Sequence, residues 1–511
     1  MEVIGFLAQG FGVALQPGVL IYIILGVLVG NLVGILPGLG PVPTIALLLP
    51  LTFTLGPTEA IVLLAGVYYG AMYGGSIPSI LLRMPGESAS VVTMLDGYPL
   101  AQKGQGAKAM GMAAFASFFG GTVSLIGLTL LAPQLARVAL SFGPAEYTAL
   151  MLAGLMLVSS LTGRSVVRGL IAVLLGLMIG TIGIDVNSGQ DRYTGGIFYL
   201  YEGIDFAVAA IGLFAISEVL YAITEPQMMS GKKPYKKLRE LIPTRSDFGH
   251  ALPSMARSSI LGFTAGVLPG AGATLASFLA YGTEKKIAKR RKLFGTGVIE
   301  GVAAPESANN AATGGSMVPM LTLGIPGSAV TALLLSALVA QGIQPGPLTF
   351  VEQPALVWGL IASMYIGNLM LLFINLPFVG LWIQLLRLPG SFLYTMVGTL
   401  AVIGAYSVRF QMFDVWVMLA FGVLGYGMRR LDFPLAPMIL AIVLGPLLES
   451  NLRRALTISR GDPMIFVSSG ISIGLLIGGL LFMLLPVLLN MRGKMDDEVS
   501  VDGSEEPARN P

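Results

Sequence analysis

The amino-acid sequence predicts an all-α integral membrane protein, and three observations carry that prediction. Of 511 residues, 54% are hydrophobic and only 11% charged, against about a quarter charged in ordinary soluble domains. Several apolar runs reach about 20 residues, the length at which a helix crosses a bilayer. There are 67 glycines and 31 prolines. Some of them interrupt those runs, which membrane helices tolerate where protein or water satisfies the freed backbone. A soluble protein with a large core is excluded by the segment lengths.

In chain order, candidate spans lie at residues 18–36, 59–80, 109–132, 144–161, 166–184 and 205–222, then 355–385, 391–408, 413–428, 433–448 and 464–490. Three further segments, 37–56, 258–281 and 300–342, are apolar but broken by Gly and Pro. The expectation is eleven to thirteen membrane segments, some of them re-entrant or broken hairpins rather than simple crossings. The first segment is read as retained, because MEVIGFLAQGFG lacks the basic start of a cleaved signal peptide.

The chain divides into a first membrane half (1–224), a basic linker (225–257), a second membrane half (258–490) and a polar tail (491–511) that is expected to be disordered. The linker carries Lys232, Lys233, Lys236, Lys237, Arg239, Arg245 and Arg257, and is expected to be cytoplasmic. So is a second basic cluster, Lys285, Lys286, Lys289, Arg290, Arg291 and Lys292. If both flanks of Ser258–Tyr281 are cytoplasmic, that segment enters and returns, turning at LPGAGA, Leu268–Ala273, with arms of about ten residues that are too short to span alone. A single crossing is the alternative.

An internal repeat relates the halves. Gly30, Gly34, Pro37, Gly38 and Gly40 match Gly262, Gly266, Pro269, Gly270 and Gly272, every pair 232 residues apart. Gly75, Ser76, Pro85 and Gly86 match Gly315, Ser316, Pro326 and Gly327. Paired, Gly/Pro-interrupted apolar segments point to the midplane binding site of a secondary transporter, commonly with the repeats inverted. The flanking charges of the first half, Arg83, Lys103 and Lys108, do not decide orientation. Half-helix N-termini can bind a carboxylate, and freed carbonyls can hold a cation. Solute and cation are therefore expected between the repeats, near Gly38, Gly40, Ser76, Gly270, Gly272, Thr274, Asn309, Asn310, Ser316, Gly327 and Ser328. A sodium ion is expected near Gly38, Gly270, Asn310 and Glu306. The alternative is close helix packing through small residues, which is the reading for Gly66, Gly70 and Gly74. Glu306, which follows Pro305, would otherwise complement a helix N-terminus at a wet boundary. Arg83 is either a partner for a substrate carboxylate or a topology signal.

Other chemistries find little support. There is no cysteine and one histidine, His250, which removes disulfides, thiolate chemistry and most zinc sites. No GxxxxGK[ST], HExxH, GxSxG or CxxC occurs, so no nucleotide site is expected. GAGATLAS at Gly270 lacks the third glycine of a dinucleotide fingerprint. A net charge of +3 and the absence of a basic stripe with aromatics argue against nucleic acid. A membrane enzyme using Glu218, Glu300, Glu306 or Asp414 is one alternative, and a channel is the other.

The sequence resembles the large membrane subunit of the tripartite tricarboxylate transporters, the TctA family. The matching stretches are GILPGLGP at Gly34, YGGSIPSILLRMPGESASVVTMLDGYPLAQKG at Tyr73, GIDVNSGQDRYTGG at Gly183, GVLPGAGATLASFLAYGTEKK at Gly266 and GVIEGVAAPESANNAATGGSMVPMLTLGIPGSAVTALLL at Gly297, continuing into GIQPGPL at Gly342. The resemblance runs to about residue 450. The family often has Thr-Phe-Gly after the arginine of the third stretch; here Tyr193, Thr194, Gly195 and Gly196 follow Arg192. The resemblance implies the translocation subunit of a bacterial inner-membrane uptake system for citrate or other tri- and dicarboxylates. It also implies a small four-helix membrane subunit and a periplasmic solute-binding protein as partners. Transport would draw on a sodium or proton gradient without ATP, and no cofactor is implied. An elevator-like motion of the broken segments against long spans such as Leu356–Leu386 is expected.

Overall fold

The structure is a computed structural model and describes residues 2–36, 39–161, 165–185, 188–224, 238–270, 272–385 and 390–484. Among these the chain is helical nearly throughout. The only strands among the described residues form a two-residue antiparallel pairing, Gly183–Ile184 with Asp191–Arg192. The first half contains α1 (Glu2–Ala14), α2 (Pro17–Ile35), α3 (Pro41–Thr52), α4 (Pro57–Gly74), α5 (Ser76–Leu82), α6 (Met94–Leu100), α7 (Gly106–Ala139), α8 (Pro144–Leu161) and α9 (Val166–Gly180). A π-helical stretch, Ile211–Ile216, joins α10 (Phe206–Ala210) to α11 (Ser217–Thr224). The second half contains α12 (Arg245–Val267), α13 (Gly272–Ile287), α14 (Glu300–Leu323), α15 (Ala329–Ala340), α16 (Thr349–Glu352), α17 (Pro354–Leu385), α18 (Gly390–Arg409), α19 (Met412–Arg430) and α20 (Leu435–Ile458). A further apolar helix, α21, covers Gly470–Leu484. The segment 225–237, most of the basic linker, and the tail 491–511 lie outside the described residues.

Eight helical stretches among the described residues are long and apolar enough to cross a bilayer, in keeping with an all-α membrane protein in which some membrane segments are not simple crossings. Shorter apolar helices include α3, α9, α15 and α21, of which α3 and α15 fall in the segments expected to be broken by Gly and Pro. The lipid-facing surface is apolar in the manner of a multi-pass membrane protein: Leu130, Leu174, Phe373, Phe378, Trp416 and Val423 are all exposed.

Glycine sets the packing within each half. Gly30 and Gly34 on α2 lie against α4, where an added Cβ would come within 2.4 and 2.2 Å of the Val67 and Ala71 carbonyl oxygens. Gly262 and Gly266 on α12 lie against α14 in the same way, 2.2 and 2.4 Å from the Ala308 and Ala312 oxygens. Gly66, Gly70 and Gly74 complete the α2–α4 contact as packing residues, with Cβ positions 2.3–3.0 Å from the backbone of Gly26, Val27 and Asn31. The helix α14 is central: every residue from Glu300 to Thr322 is buried. Its Ala, Gly and Ser residues let α7, α12 and α13 approach closely.

The segment Ser258–Tyr281 folds back on itself. Arg257 donates two hydrogen bonds to the Glu284 carboxylate (2.8 and 2.7 Å), and the Ser254 hydroxyl adds a third at 2.6 Å. The start of α12 and the end of α13 thus lie side by side with the tip between them. From Arg257 or Glu284 to Gly270 each arm rises roughly 20 Å at 1.5 Å per residue, well short of a bilayer core of about 30 Å. The helical arms are longer than the ten residues expected, because α12 already begins at Arg245 behind a capping box made by Thr244 and Asp247.

Candidate functional site

Each break has a local cause. Leu268 is extended (φ −78°, ψ 123°), as a residue before proline must be. Gly270 and Gly272 then take φ of +85° and +58°, a region open to glycine at no steric cost. In the first half α2 ends at Leu36 and α3 restarts at Pro41 behind Gly40, whose φ is +59°; Pro37 and Gly38 lie outside the described residues. The second pair of breaks is built alike. Arg83 ends α5 in the left-handed region (φ 58°) and Gly324 ends α14 there (φ 67°). After each comes Pro-Gly and a new N-cap. Glu87 caps the 3-10 turn Ser88–Val91 in a reciprocal box with Ser90, and Ser328 caps α15 in a reciprocal box with Thr331. The Gly86 Cβ position faces the Gly34 oxygen and Gly75, and that of Gly327 faces the Gly266 oxygen and Ser316.

These four restarts surround one cavity of about 680 Å³, within the usual range for small-molecule sites. Its wall includes Gly40 to Pro43, Pro85 to Ser88, Gly270 and Gly272 to Leu275, and Ser328 to Val330. The N-termini of α3, α13 and α15 and the start of the Ser88–Val91 turn, two from each half, therefore open on the same space. Tyr68, Met72, Phe214, Phe278 and Leu440 add apolar and aromatic surface. The halves touch at this wall: the Ser88 and Thr274 hydroxyl oxygens are 2.7 Å apart. The arms also pair across the halves. Gln341, past the end of α15, donates to the Thr52 carbonyl at 2.8 Å. Asp96 on α6 accepts from the amides of Gly295, Gly297 and Val298 and from the Tyr281 hydroxyl, at 2.8–3.0 Å.

Of the residues expected at the site, Gly40, Gly270, Gly272, Thr274 and Ser328 line the cavity. The others do not. Gly327 stands just behind, its carbonyl accepting from the Gly270 amide at 2.9 Å. Ser316 lies 3.4 Å from the Tyr68 hydroxyl, and Ser76 bonds back to the Tyr73 carbonyl at 2.9 Å. Asn309 and Asn310 are enclosed in α14, with the Asn310 amide donating to Asn309 Oδ1 and to the Glu306 carbonyl. Glu306 is fully buried, six residues into α14, and accepts from Thr93 (2.5 Å) and Ser117 (3.1 Å). It is neither at a wet boundary nor at the cavity, so Gly270 and Glu306 do not share one pocket. Arg83 is exposed, its guanidinium 5.9 Å from the centre of the Tyr98 ring.

Sequence reasoning did not select Glu87, Ser88, Tyr68, Glu218 or Arg429 for this wall. Glu218 and Arg429 form an ion pair there. Three of the four carboxylates weighed for enzymatic chemistry have such partners: Glu218 with Arg429, Glu300 with Arg290 and Asp414 with Arg409. Among the described residues no group of three or more His, Cys, Asp or Glu side chains could hold a metal ion. Asn31, fully buried in α2, has no hydrogen-bond partner for either amide atom.

Comparison with known proteins gives a family match and two relatives. The model of the tripartite tricarboxylate transporter TctA family matches residues 20–440. A 52.8 kDa protein of Agrobacterium vitis, described only by its place 3′ of ttuC′ in the TAR-I region, is 46% identical over 496 residues, 97% of this chain and 98% of its own length. A second A. vitis protein, 3′ of ttuC′ in TAR-II, is 50% identical over 231 residues, 45% of this chain and 96% of its own. No solved structure matches.

Proposed function

Since this chain belongs to the tripartite tricarboxylate transporter TctA family, we propose that it is the large translocating subunit of a binding-protein-dependent secondary transporter for small organic carboxylates. Tri- or dicarboxylates such as citrate are the substrate class. A sodium or proton gradient drives uptake across a bacterial inner membrane, and a small four-helix subunit and a periplasmic solute-binding protein complete the system. The observation that carries the proposal is the meeting of three α-helix N-termini and one 3-10 turn, from two similarly built halves, at one cavity inside a membrane protein.

The chemistry suits a carrier. Free amides and the positive ends of helices attract a carboxylate, and the Ser88, Thr274 and Ser328 hydroxyls lie at the same wall. Together they replace part of the anion's hydration without a free fixed cation, since Arg429 is engaged by Glu218. Binding of that kind is reversible. Gly327 acts from behind the wall, its carbonyl holding the Gly270 amide at the tip.

The paired breaks are the product of a duplication with inverted orientation. Support comes from charge: the α13 end carries Lys285, Lys286 and Lys289 and gathers Lys103, which bonds to the Thr296 carbonyl. The opposite arms, residues 41–60 and 328–354, contain no Lys or Arg. By the positive-inside rule these ends face opposite sides. The broken units travel together as an elevator against a scaffold that includes α17.

Uptake of labelled citrate and other di- and tricarboxylates into proteoliposomes tests the proposal. Saturable uptake should require the small subunit, the loaded binding protein and an inward cation gradient. Full uptake by the isolated chain, or none under any gradient with both partners present, would overturn it.

A further inference from the structure

Resting on that reading and extending it, we propose that Glu87 binds the coupling cation, and that the cavity takes up an anionic carboxylate only together with that cation.

Glu87 is 9% exposed, lines the cavity, and its Oε1 has no hydrogen-bond partner. An unpartnered carboxylate oxygen in a buried site is costly and marks a position completed by something else. Capping does not account for it. The box that Glu87 forms with Ser90 is the box that Ser328 forms with Thr331 at the matching place in the second half, where a neutral hydroxyl suffices. The first half carries a charge that its fold does not need.

The charges at the wall make the second step. Glu87, Glu218 and Arg429 are the acidic and basic residues that line the cavity, and Glu218 and Arg429 neutralise each other. An ionised Glu87 leaves the space net negative. A carboxylate entering it meets a like charge in surroundings that screen poorly. Neutralising Glu87 with a monovalent cation, a proton or sodium, removes that repulsion, and the requirement is itself the coupling.

Neighbouring groups do not supply the charge. On the elements packed against the Glu87 loop, Asp96 is held by three amides and Tyr281. Glu284 is paired with Arg257 and Glu300 with Arg290. Glu306 accepts from Thr93 and Ser117 and supplies no positive charge. Arg83, Lys285 and Lys286 are exposed. Tyr68 adds a hydroxyl, 3.4 Å from Ser316.

The test uses the purified full chain in lipid nanodiscs, with sodium and the proton as the probes. Thermal unfolding is followed in sodium chloride against choline chloride at constant ionic strength, and in choline chloride across a pH series. Stabilisation of the wild type by sodium identifies sodium; stabilisation by acid alone identifies the proton. In either arm Glu87→Gln should abolish the response, and Glu87→Asp should shift its midpoint by about tenfold in cation concentration, the size typical of disturbed ion ligation. If Glu87→Gln does not fold, carbodiimide modification of native Glu87, mapped by mass spectrometry, takes its place. Sodium or raised pH should suppress that modification severalfold. A response equal in wild type and Glu87→Gln, no response in the wild type, or modification insensitive to both cations would overturn the inference. None of these readouts involves carboxylate uptake. A failure of transport with both partners present therefore sinks the functional proposal alone, and cation binding that ignores Glu87 sinks this inference alone.

Discussion

The Ser88 hydroxyl of the first half lies 2.7 Å from the Thr274 hydroxyl of the second, at the wall of the shared cavity. Side chains this close are within reach of a disulfide, and the chain has no cysteine of its own. The double variant Ser88→Cys/Thr274→Cys should oxidise readily to an intramolecular cross-link, seen as a mobility shift on non-reducing gels. If both broken units move as one body, the cross-linked carrier retains most of its uptake. Loss of uptake that a reductant restores would show instead that the units move against each other.

The hairpin closure gives a stability prediction. Glu284 is 1% exposed and its partner Arg257 46%. Arg257→Ala leaves a buried carboxylate with Ser254 as its remaining partner. Stranding a buried charge in this way costs about 3 kcal/mol or somewhat less, because the lost arginine is half exposed. Arg257→Lys should recover part of that, since it keeps the charge and loses the two-pronged geometry. Thermal unfolding in detergent, with the double variant Arg257→Ala/Glu284→Gln for comparison, checks it: the double variant should be more stable than Arg257→Ala.

The entry to α12 should be acid-labile. Burial pushes the Asp247 carboxyl up, but hydrogen bonds from the Thr244 side chain, Lys108 and the Thr244 amide outweigh it and hold the group below its ordinary value of 3.8. A depressed value means that the ionised form stabilises the fold. That contribution is complete above the ordinary value and is lost as pH falls through the depressed one. Hydrogen exchange across residues 244–250 should accelerate in that acid range in the wild type. In Asp247→Asn it should already be faster at neutral pH and show much less acid dependence.

The tips were legible in the sequence because proline and glycine act locally: Pro269 dictates the extended Leu268, and Gly270 and Gly272 take conformations that other residues resist. The repeat alignment that pairs Pro85 and Gly86 with Pro326 and Gly327 carries one residue further, to Glu87 and Ser328, so the signal for Glu87 was present. Tyr68, Glu218 and Arg429 were not legible. They reach the wall from helices far apart in the chain, through packing that no local pattern encodes. Asn309, Asn310 and Glu306 stood out as polar groups in an apolar run, yet α14 is buried on every side. With no exposed face there is no periodicity to show which neighbour each would meet.

Two tip glycines that look alike in sequence should behave differently when substituted. At Gly270 a Cβ would sit 2.5 Å from the Val158 Cα, with φ at +85°. Gly270→Val therefore collides with α8 as well as straining the backbone, and its main effect should be less folded protein. At Gly272 φ is +58° and nothing lies within 4 Å of the added atom. Asparagine tolerates that conformation, so Gly272→Asn should assemble normally while placing a side chain in the space the solute would use. Gly66→Val, with its Cβ 3.0 Å from the Gly26 backbone, serves as the packing control and should lower assembly as Gly270→Val does. Fluorescence-detected gel filtration measures assembly, and proteoliposome uptake measures transport. The expected result is normal assembly with at least about a tenfold loss of uptake for Gly272→Asn, the size of about 1.4 kcal/mol. Normal uptake by an assembled Gly272→Asn carrier would place the solute away from the start of α13.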